Sequence, residues 1–213
     1  MQETGPDSMI LDAAKRELAD RAPRQQASAA PLRSSAASYT GTPRVRSINL
    51  SAKKGTRKAP VATGAAMVVE QHGLADDAHA GHWHRQVSFL AQESIDAARE
   101  RGLEVGDGAF GENFTTEGLN LFDLPVGTQL RLGDEVLVEI SQIGKVCHTR
   151  CAIYYLAGDC IFPHEGIFGV VLRGGEVRVG DEIAVVRRGD GTCTYTPPEA
   201  LAEVERARAD GTL

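Results

Sequence analysis

Two eight-residue segments of the chain share one pattern, and this echo constrains the fold more than any other feature of the sequence. Residues 131–138 read RLGDEVLV and residues 178–185 read RVGDEIAV. Each segment places a Gly-Asp pair between two apolar stretches, and Gly and Asp tolerate the backbone angles that hairpin turns require. Gly174 and Gly175 give a third turn signal between two β-like runs. We therefore expect a mainly β, barrel-like fold built from antiparallel hairpins, with a few peripheral helices.

Further local patterns place other elements in this fold. Residues 45–50, 65–70 and 86–90 are short, largely apolar runs, and each is a strand candidate. Residues 92–101 predict a helix that places apolar side chains on one face and ends at Gly102.

Residue composition and apolar patterning divide the chain into three parts. Residues 1–43 predict an N-terminal extension, with one short helix over residues 9–21 and then a flexible stretch, residues 22–43, rich in Ala, Ser, Pro and Arg. Residues 44–187 predict the β domain. Residues 188–213 predict a C-terminal tail, in which Thr196, Pro197 and Glu199 mark the start of a surface helix.

Charge and hydropathy exclude several classes of function. The formal net charge of −6 gives no electrostatic support for nucleic-acid binding by the chain as a whole. The sequence contains no apolar run near the ~18–20 residues that cross a bilayer. The first residues lack the basic start and apolar core of a signal peptide. We therefore expect a soluble, cytoplasmic protein that binds neither nucleic acid nor membrane.

The cysteines indicate thiol or metal chemistry. Of the four cysteines, three fall within a short stretch at positions 147, 151 and 160, and the fourth is Cys193. In a reducing compartment such clustering favours reactive thiols or metal ligands over structural disulfides. The basic or ionisable neighbours of Cys147 are Lys145, His148 and Arg150. Nearby positive charge favours the nucleophilic thiolate, although Cys147 could instead be a half-buried structural cysteine.

A zinc site is the main alternative for this cluster. Cys147, Cys151, Cys160 and His164 supply a Cys₃His set, which suits tetrahedral zinc. The spacing is not that of a standard zinc finger, so the leading hypothesis contains no metal site. The histidines at positions 79, 82 and 84 are close in sequence and could also suggest a metal, but solvated loop histidines are the more common case.

Donors for an anionic ligand occur earlier in the chain. Arg85 offers a planar guanidinium fork that suits phosphate, or it could serve a fixed ion pair. The glycine-rich loop of residues 106–111 could form a nest of backbone amides for an anion. Glu112 and Asn113 follow this loop and could hydrogen-bond a ligand or cap the turn. The basic run of residues 53–58 predicts a solvated loop, or else a lip that steers an anion.

Five motifs in order resemble one family, the MOSC domains, which are named after the C-terminal part of molybdenum-cofactor sulfurases. They are Arg85-Gln86-Val87-Ser88, the stretch from Gly108 to Gly118 around Phe110-Gly111-Glu112-Asn113, the stretch from Gly144 to Cys151, Gly166-Ile167-Phe168, and the stretch from Gly174 to Asp181. A looser likeness precedes them in residues 73–81. The resemblance covers residues 44–187 and implies a β-rich fold associated with the molybdenum cofactor.

The resemblance also implies a set of site residues and partners. Cys147 is the expected carrier of sulfur as a persulfide, with Lys145, His148 and Arg150 beside it. The expected cofactor contacts are His84, Arg85, Gln86, Gly111, Glu112 and Asn113. Partners would be a sulfur donor protein and an enzyme or biosynthesis protein of the molybdenum cofactor. Two alternatives stay open, a nonenzymatic module that binds or delivers the cofactor and a zinc-stabilised interaction domain. Pyridoxal phosphate, which serves the fused sulfurases, is not expected here, and the oligomeric state is open.

Overall fold

The computed structural model of the chain describes residues 39–145, 154–155 and 160–195. The helices predicted at residues 9–21 and after Thr196 lie outside these residues, as do Cys147, His148, Arg150 and Cys151. Among the described residues, no helix has the length and apolar character needed to span a membrane.

The described secondary structure is mainly β, as the turn signals predicted. The strands are β1 (Arg44–Leu50), β2 (Ala59–Pro60), β3 (Ala65–Val69), β4 (Gly73–Leu74), β5 (Val87–Ala91), β6 (Phe114–Glu117), β7 (Gln129–Leu132), β8 (Val136–Ile143), β9 (Ile167–Arg173), β10 (Gly175–Arg178) and β11 (Ile183–Arg187). The helices are α1 (Gln92–Glu100) and α2 (Phe162–Glu165), and Leu121–Asp123 forms a 3₁₀ turn.

Most of the strands form one large sheet with the order β11-β7-β8-β9-β5-β6-β1-β2. Its neighbouring strands are antiparallel except β5 and β6, which are parallel and joined through α1. The sheet is not closed into a barrel, so the barrel-like part of the prediction is not met. Within the described part of the chain, one isolated bridge, between Arg44 and Glu182, joins the start of β1 to the chain before β11. One bridge makes no continuous ladder, and the two-residue strand β2 forms the other edge.

The two Gly-Asp segments have different structures. The first is the hairpin that the pattern predicts, because β7 pairs with β8 in register around Gly133. The second is not a hairpin, because β10 pairs with β3 in a separate three-stranded sheet and β11 pairs with β7. Gly180 and Asp181 therefore carry the chain from one sheet to the other. The hairpin prediction was wrong here because a turn signal does not specify which strand the chain pairs with next.

Two apolar clusters hold the sheets and α1 together. The larger cluster is formed by side chains of both sheets and includes the stacked rings of Phe89 and Phe114, whose centroids are 5.2 Å apart. The smaller cluster packs Ile95 of α1 against Phe162 and Phe168. Burial of large side chains of this kind stabilises a fold by about 1.5–3 kcal/mol each. The smaller cluster also fixes the two phenyl rings that border the candidate site.

Candidate functional site

Arg85 lies just before β5, and two aromatic rings hold its guanidinium group. Its Cζ is 4.7 Å from the ring centroid of Trp83 and 5.6 Å from that of Phe168. These distances are in the range of cation–π attraction, to which Arg and Trp are well suited. The Nε atom of Arg85 is buried and has no hydrogen-bond partner among the described residues. Arg85 is therefore positioned by the rings while a donor stays unused.

Lys145 brings a second cation to the same aromatic cluster. Its Nζ is 5.2 Å from the ring centroid of Phe162, and the rings of Phe162 and Phe168 meet edge to face at 5.3 Å. The backbone N–H of Lys145 donates to the carbonyl of Pro163 at 2.9 Å, which ties this end of β8 to α2. Lys145 and Arg85 thus flank one pair of phenyl rings. Lys145 is also the last described residue before the segment that contains Cys147.

The basic run of residues 53–58 reaches this site through Lys54. The Nζ of Lys54 is 5.9 Å from the ring centroid of Trp83, and the indole N–H of Trp83 donates to the carbonyl of His79 at 2.9 Å. Lys54 and Arg85 therefore both lie beside the indole ring of Trp83, and steering of an anion by the basic run stays a prediction. We call this group of side chains the cation–aromatic surface. Its members are Lys54, Trp83, Arg85, Lys145, Phe162 and Phe168.

His84 anchors the loop that carries Arg85. Its Nε2 is 2.9 Å from Oε1 of Gln142, and the hydroxyl of Ser141 donates to the His84 carbonyl. The amide of Gln142 in turn donates to the carbonyl of Gly144 at 2.6 Å. His84 is therefore linked through Gln142 to the chain that leads to Lys145. Contact of His84 with a cofactor stays a prediction.

Gln86 points into the protein. Its side chain is fully buried, and Oε1 accepts a hydrogen bond of 2.8 Å from the backbone N–H of Val171 in β9. A Cβ at Gly73 would lie 2.3 Å from the Gln86 carbonyl, so only glycine allows the two backbones to approach this closely. In this geometry Gln86 joins β5 to β9, and its role as a cofactor contact stays a prediction.

The glycine-rich loop binds an anion that belongs to the protein itself. The carboxylate of Glu112 accepts hydrogen bonds from the backbone N–H groups of Gly108 at 2.5 Å and Phe110 at 3.2 Å, and from the hydroxyl of Thr115 at 3.2 Å. Glu112 is completely buried, and this burial raises its pKa to about 7 against those hydrogen bonds. The two amides of the nest are thus occupied by Glu112, so this geometry is that of turn capping.

Asn113 and Gly111 complete the turn after this loop. Oδ1 of Asn113 accepts from both the backbone N–H and the hydroxyl of Ser88, each at 3.1 Å. Gly111 has a φ of +90°, a conformation that favours glycine. Asn113 therefore fastens the turn to β5. Cofactor contacts by Gly111, Glu112 and Asn113 stay predictions.

Sequence reasoning missed a buried ion pair behind the site. Nζ of Lys58 lies 2.7 Å from Oδ1 of Asp77, and both side chains are 1% exposed. The solvated-loop prediction was therefore wrong for Lys58. Burial alone would raise the pKa of Asp77, but hydrogen bonds from His79 and the charge of Lys58 outweigh it and hold the pKa well below its usual range. No local pattern distinguishes Lys58 from its exposed neighbours Lys53 and Lys54.

The proposed zinc ligands are only partly described. Cys160 is half-buried and packs against the smaller apolar cluster, whereas His164 is exposed on α2. Within residues 39–145, 154–155 and 160–195, no group of three or more His, Cys, Asp or Glu residues is arranged to hold a metal ion.

The three histidines that are close in sequence have separate neighbours. Nδ1 of His79 lies 3.6 Å from Asp77, the ring of His82 faces that of His72, and His84 faces Gln142. They do not converge on one point, so this group does not form the metal site considered from the sequence.

Comparison with known proteins agrees with this fold. The family profile of the MOSC domain matches residues 76–184, just over half of the chain. The chain therefore belongs to the MOSC domain family, which is associated with the molybdenum cofactor. Comparison with curated protein sequences gave no significant match.

Two solved structures illustrate the likeness in fold. The YiiM protein of Geobacillus stearothermophilus is 24% identical, with a TM-score of 0.56 over 79% of this chain and 86% of that one. The YUAD protein of Bacillus subtilis is 16% identical, with a TM-score of 0.54 over 67% of this chain and 94% of that one. At these identities the likeness concerns the fold alone.

Proposed function

We propose that this protein is a molybdenum-cofactor-associated sulfur carrier in which Cys147 holds sulfur as a persulfide beside the cation–aromatic surface. The observation that supports this most is the placement of Arg85 and Lys145 on one pair of phenyl rings. The surface presents positive charge at the point where the chain enters the segment that contains Cys147.

Cys147 follows Lys145 by two positions in the sequence, among the basic residues Lys145, His148 and Arg150. Lys145 is itself linked to Arg85 through the two rings. Positive charge lowers the pKa of a thiol and so increases the thiolate fraction at neutral pH. His148 and Arg150 add further basic groups in sequence.

The proposed step is a thiolate exchange without net oxidation. The Cys147 thiolate attacks the terminal sulfur of a persulfide on a donor protein. The sulfur–sulfur bond of the donor breaks, a sulfur–sulfur bond to Cys147 forms, and the donor cysteine leaves as a thiolate. Cys151 could discharge the persulfide by forming a disulfide with Cys147 and releasing hydrosulfide. A cytoplasmic sulfur donor protein and an enzyme or biosynthesis protein of the cofactor are the proposed partners.

The residues of the surface suit the cofactor. Arg85 carries a buried Nε with no partner among the described residues, and its planar guanidinium matches the phosphate of a pterin cofactor. Lys54 and Lys145 add charge of the same sign at the surface. When bound, the cofactor supplies a molybdenum centre that can accept a terminal sulfur. The chain's own residues bind and orient its anionic group.

A second candidate function, binding and delivery of the cofactor without sulfur transfer, rests on the same unused donor of Arg85. The two functions differ in what Cys147 does. In a carrier, Cys147→Ser abolishes sulfur loading but leaves cofactor affinity nearly unchanged. In a delivery module, the same change weakens binding through loss of a contact.

Intact-mass analysis of the full chain tests the carrier function. After incubation with a cysteine persulfide donor, the wild-type protein should gain the mass of one sulfur, mapped by proteolysis to Cys147. Cys193→Ser is the matched control and should load like the wild type, whereas Cys147→Ser should not load. Equal loading of Cys147→Ser would contradict the proposal. So would slow, uniform alkylation of all four cysteines in the native protein.

A further inference from the structure

The Lys and Arg side chains of the described residues differ in whether they have a polar partner. Most of them form an ion pair or donate a hydrogen bond within the protein, as Arg99 does with Asp96 and Arg187 with Glu139. The exceptions make neither contact with any described residue, and all of them lie in the cation–aromatic surface or in the basic run that reaches it through Lys54. These exceptions are Lys53, Lys54, Arg57, Arg85 and Lys145. Unpaired positive charge is therefore concentrated in one part of the described structure.

This concentration occurs in a chain with an excess of acidic residues. The sequence has 29 Asp and Glu against 23 Lys and Arg, yet no described carboxylate pairs with Lys54, Arg85 or Lys145. Lys54 and Arg85 contact the same indole ring, so their charges lie at most about 11 Å apart, close to the Debye length of ~10 Å at 0.1 M salt. Arg85 and Lys145 contact the two rings of one edge-to-face pair. An anion that binds among these like charges relieves their mutual repulsion.

We propose, on the basis of the sulfur-carrier function of Cys147, that the sulfur donor used at this surface is a small anionic sulfane-sulfur compound of the thiosulfate class. Attack by a thiolate on such a donor is opposed by charge repulsion, because both reactants are negatively charged. Unpaired cations at the site offset this repulsion and raise the local concentration of the anion. The planar guanidinium of Arg85 can bind two oxygens of the donor, as such groups do with carboxylate and phosphate. A donor without net charge gains little from the same cations.

The transfer balances without an added oxidant or reductant. The Cys147 thiolate attacks the sulfane sulfur of thiosulfate, and a sulfur–sulfur bond to Cys147 forms. The sulfur–sulfur bond within thiosulfate breaks, and its electron pair leaves with sulfite. The products are the ionised persulfide of Cys147 and one sulfite dianion for each thiosulfate consumed. Release of sulfite frees Arg85 for the anionic group of the cofactor, so the same cations serve both halves of the transfer.

Two donors separate this inference from the carrier function itself. The full wild-type chain is incubated with thiosulfate or with cysteine persulfide, whose protonated form has no net charge, and intact-mass analysis follows the loading of Cys147. Both donors should load Cys147, and thiosulfate should release one sulfite per loaded protein. Raising the salt concentration from about 20 mM to about 500 mM should slow loading by thiosulfate at least about tenfold. Loading by cysteine persulfide should slow by less than about threefold.

Variants test whether the effect comes from the cation–aromatic surface. Arg85→Gln should lower the second-order rate constant with thiosulfate at least about tenfold, and that with cysteine persulfide by less than about threefold. The ratio of the two rate constants cancels any change in the reactivity of the Cys147 thiol. Arg178→Gln is the matched control and should give the wild-type ratio, because it removes a cation whose charge is already paired with Glu176.

Loading of Cys147 by cysteine persulfide but not by thiosulfate would overturn the inference and leave the carrier function standing. Loading by neither donor would contradict both. The inference also fails if loading by thiosulfate is independent of salt, or if a folded Arg85→Gln variant slows both donors equally. The salt series uses only the wild-type protein, so it decides the question even if Arg85→Gln does not fold.

Discussion

Glu112 makes the stability of this protein depend on pH in a direction opposite to that of a typical paired carboxylate. Its pKa in the folded protein is about 7, against an ordinary value of 4.5. Between these values the folded protein binds more protons than the unfolded chain, so stability falls as the pH rises. The stabilisation is complete below pH 4.5 and is lost as the pH rises through 7. Between pH 5 and pH 8 the loss amounts to about 2–3 kcal/mol.

The substitution Glu112→Gln removes the titrating carboxyl group. Comparison with the wild type therefore isolates the contribution of Glu112 to the pH dependence of stability. The quantity of interest is the unfolding free energy of the wild type minus that of the variant. We expect this difference to fall by about 2–3 kcal/mol from pH 5 to pH 8, because only the wild type loses the Glu112 contribution. Urea denaturation followed by circular dichroism at both pH values measures it. Taking the difference cancels the other titrating groups to first order. The low pKa of Asp77 acts only at more acidic pH, because its stabilising effect is complete above the ordinary range of an Asp. An equal difference at pH 5 and pH 8 would refute the argument.

Three further changes probe the frame around the site, each measured by urea or thermal unfolding. Lys58→Met leaves the buried carboxylate of Asp77 without its cation, so it should lower the free energy of unfolding by about 3–5 kcal/mol. Lys53→Met, on the exposed part of the same loop, should change it by less than about 0.5 kcal/mol. Gly108→Ala places a Cβ 2.4 Å from the Lys58 carbonyl, so it should destabilise more than Gly55→Ala, which has a similar φ and open space around it. Phe89→Ala should cost about 3–5 kcal/mol because it leaves a cavity in the larger cluster, and a cost below about 1 kcal/mol would contradict the packing described.

The elements that could be predicted from the sequence are those with local signals. The strand candidates at residues 45–50, 65–70 and 86–90 are confirmed within a residue or two, and so is the helix over residues 92–101. Their patterns lie within a few neighbouring residues. The first Gly-Asp hairpin is confirmed for the same reason.

The features that sequence reasoning missed depend on contacts between distant residues. The two Gly-Asp segments meet in space, since the backbone N–H of Gly133 donates to the carbonyl of Glu182 at 2.9 Å. Nothing within either segment encodes that contact. The partner of Lys58 is likewise 19 positions away in sequence. Cationic residues were recognised at the site, but Trp83, Phe162 and Phe168 were not, because a ring that positions a cation has the same sequence signal as a core residue.

Strand β5 is buried along its whole length and hydrogen-bonded to neighbours on both sides. Its backbone amides can exchange with deuterium only when the large sheet opens, which places β5 among the slowest-exchanging parts of the fold. Exchange of these amides therefore reports opening of the large sheet, whereas exchange in the Arg85 loop before β5 reports local opening.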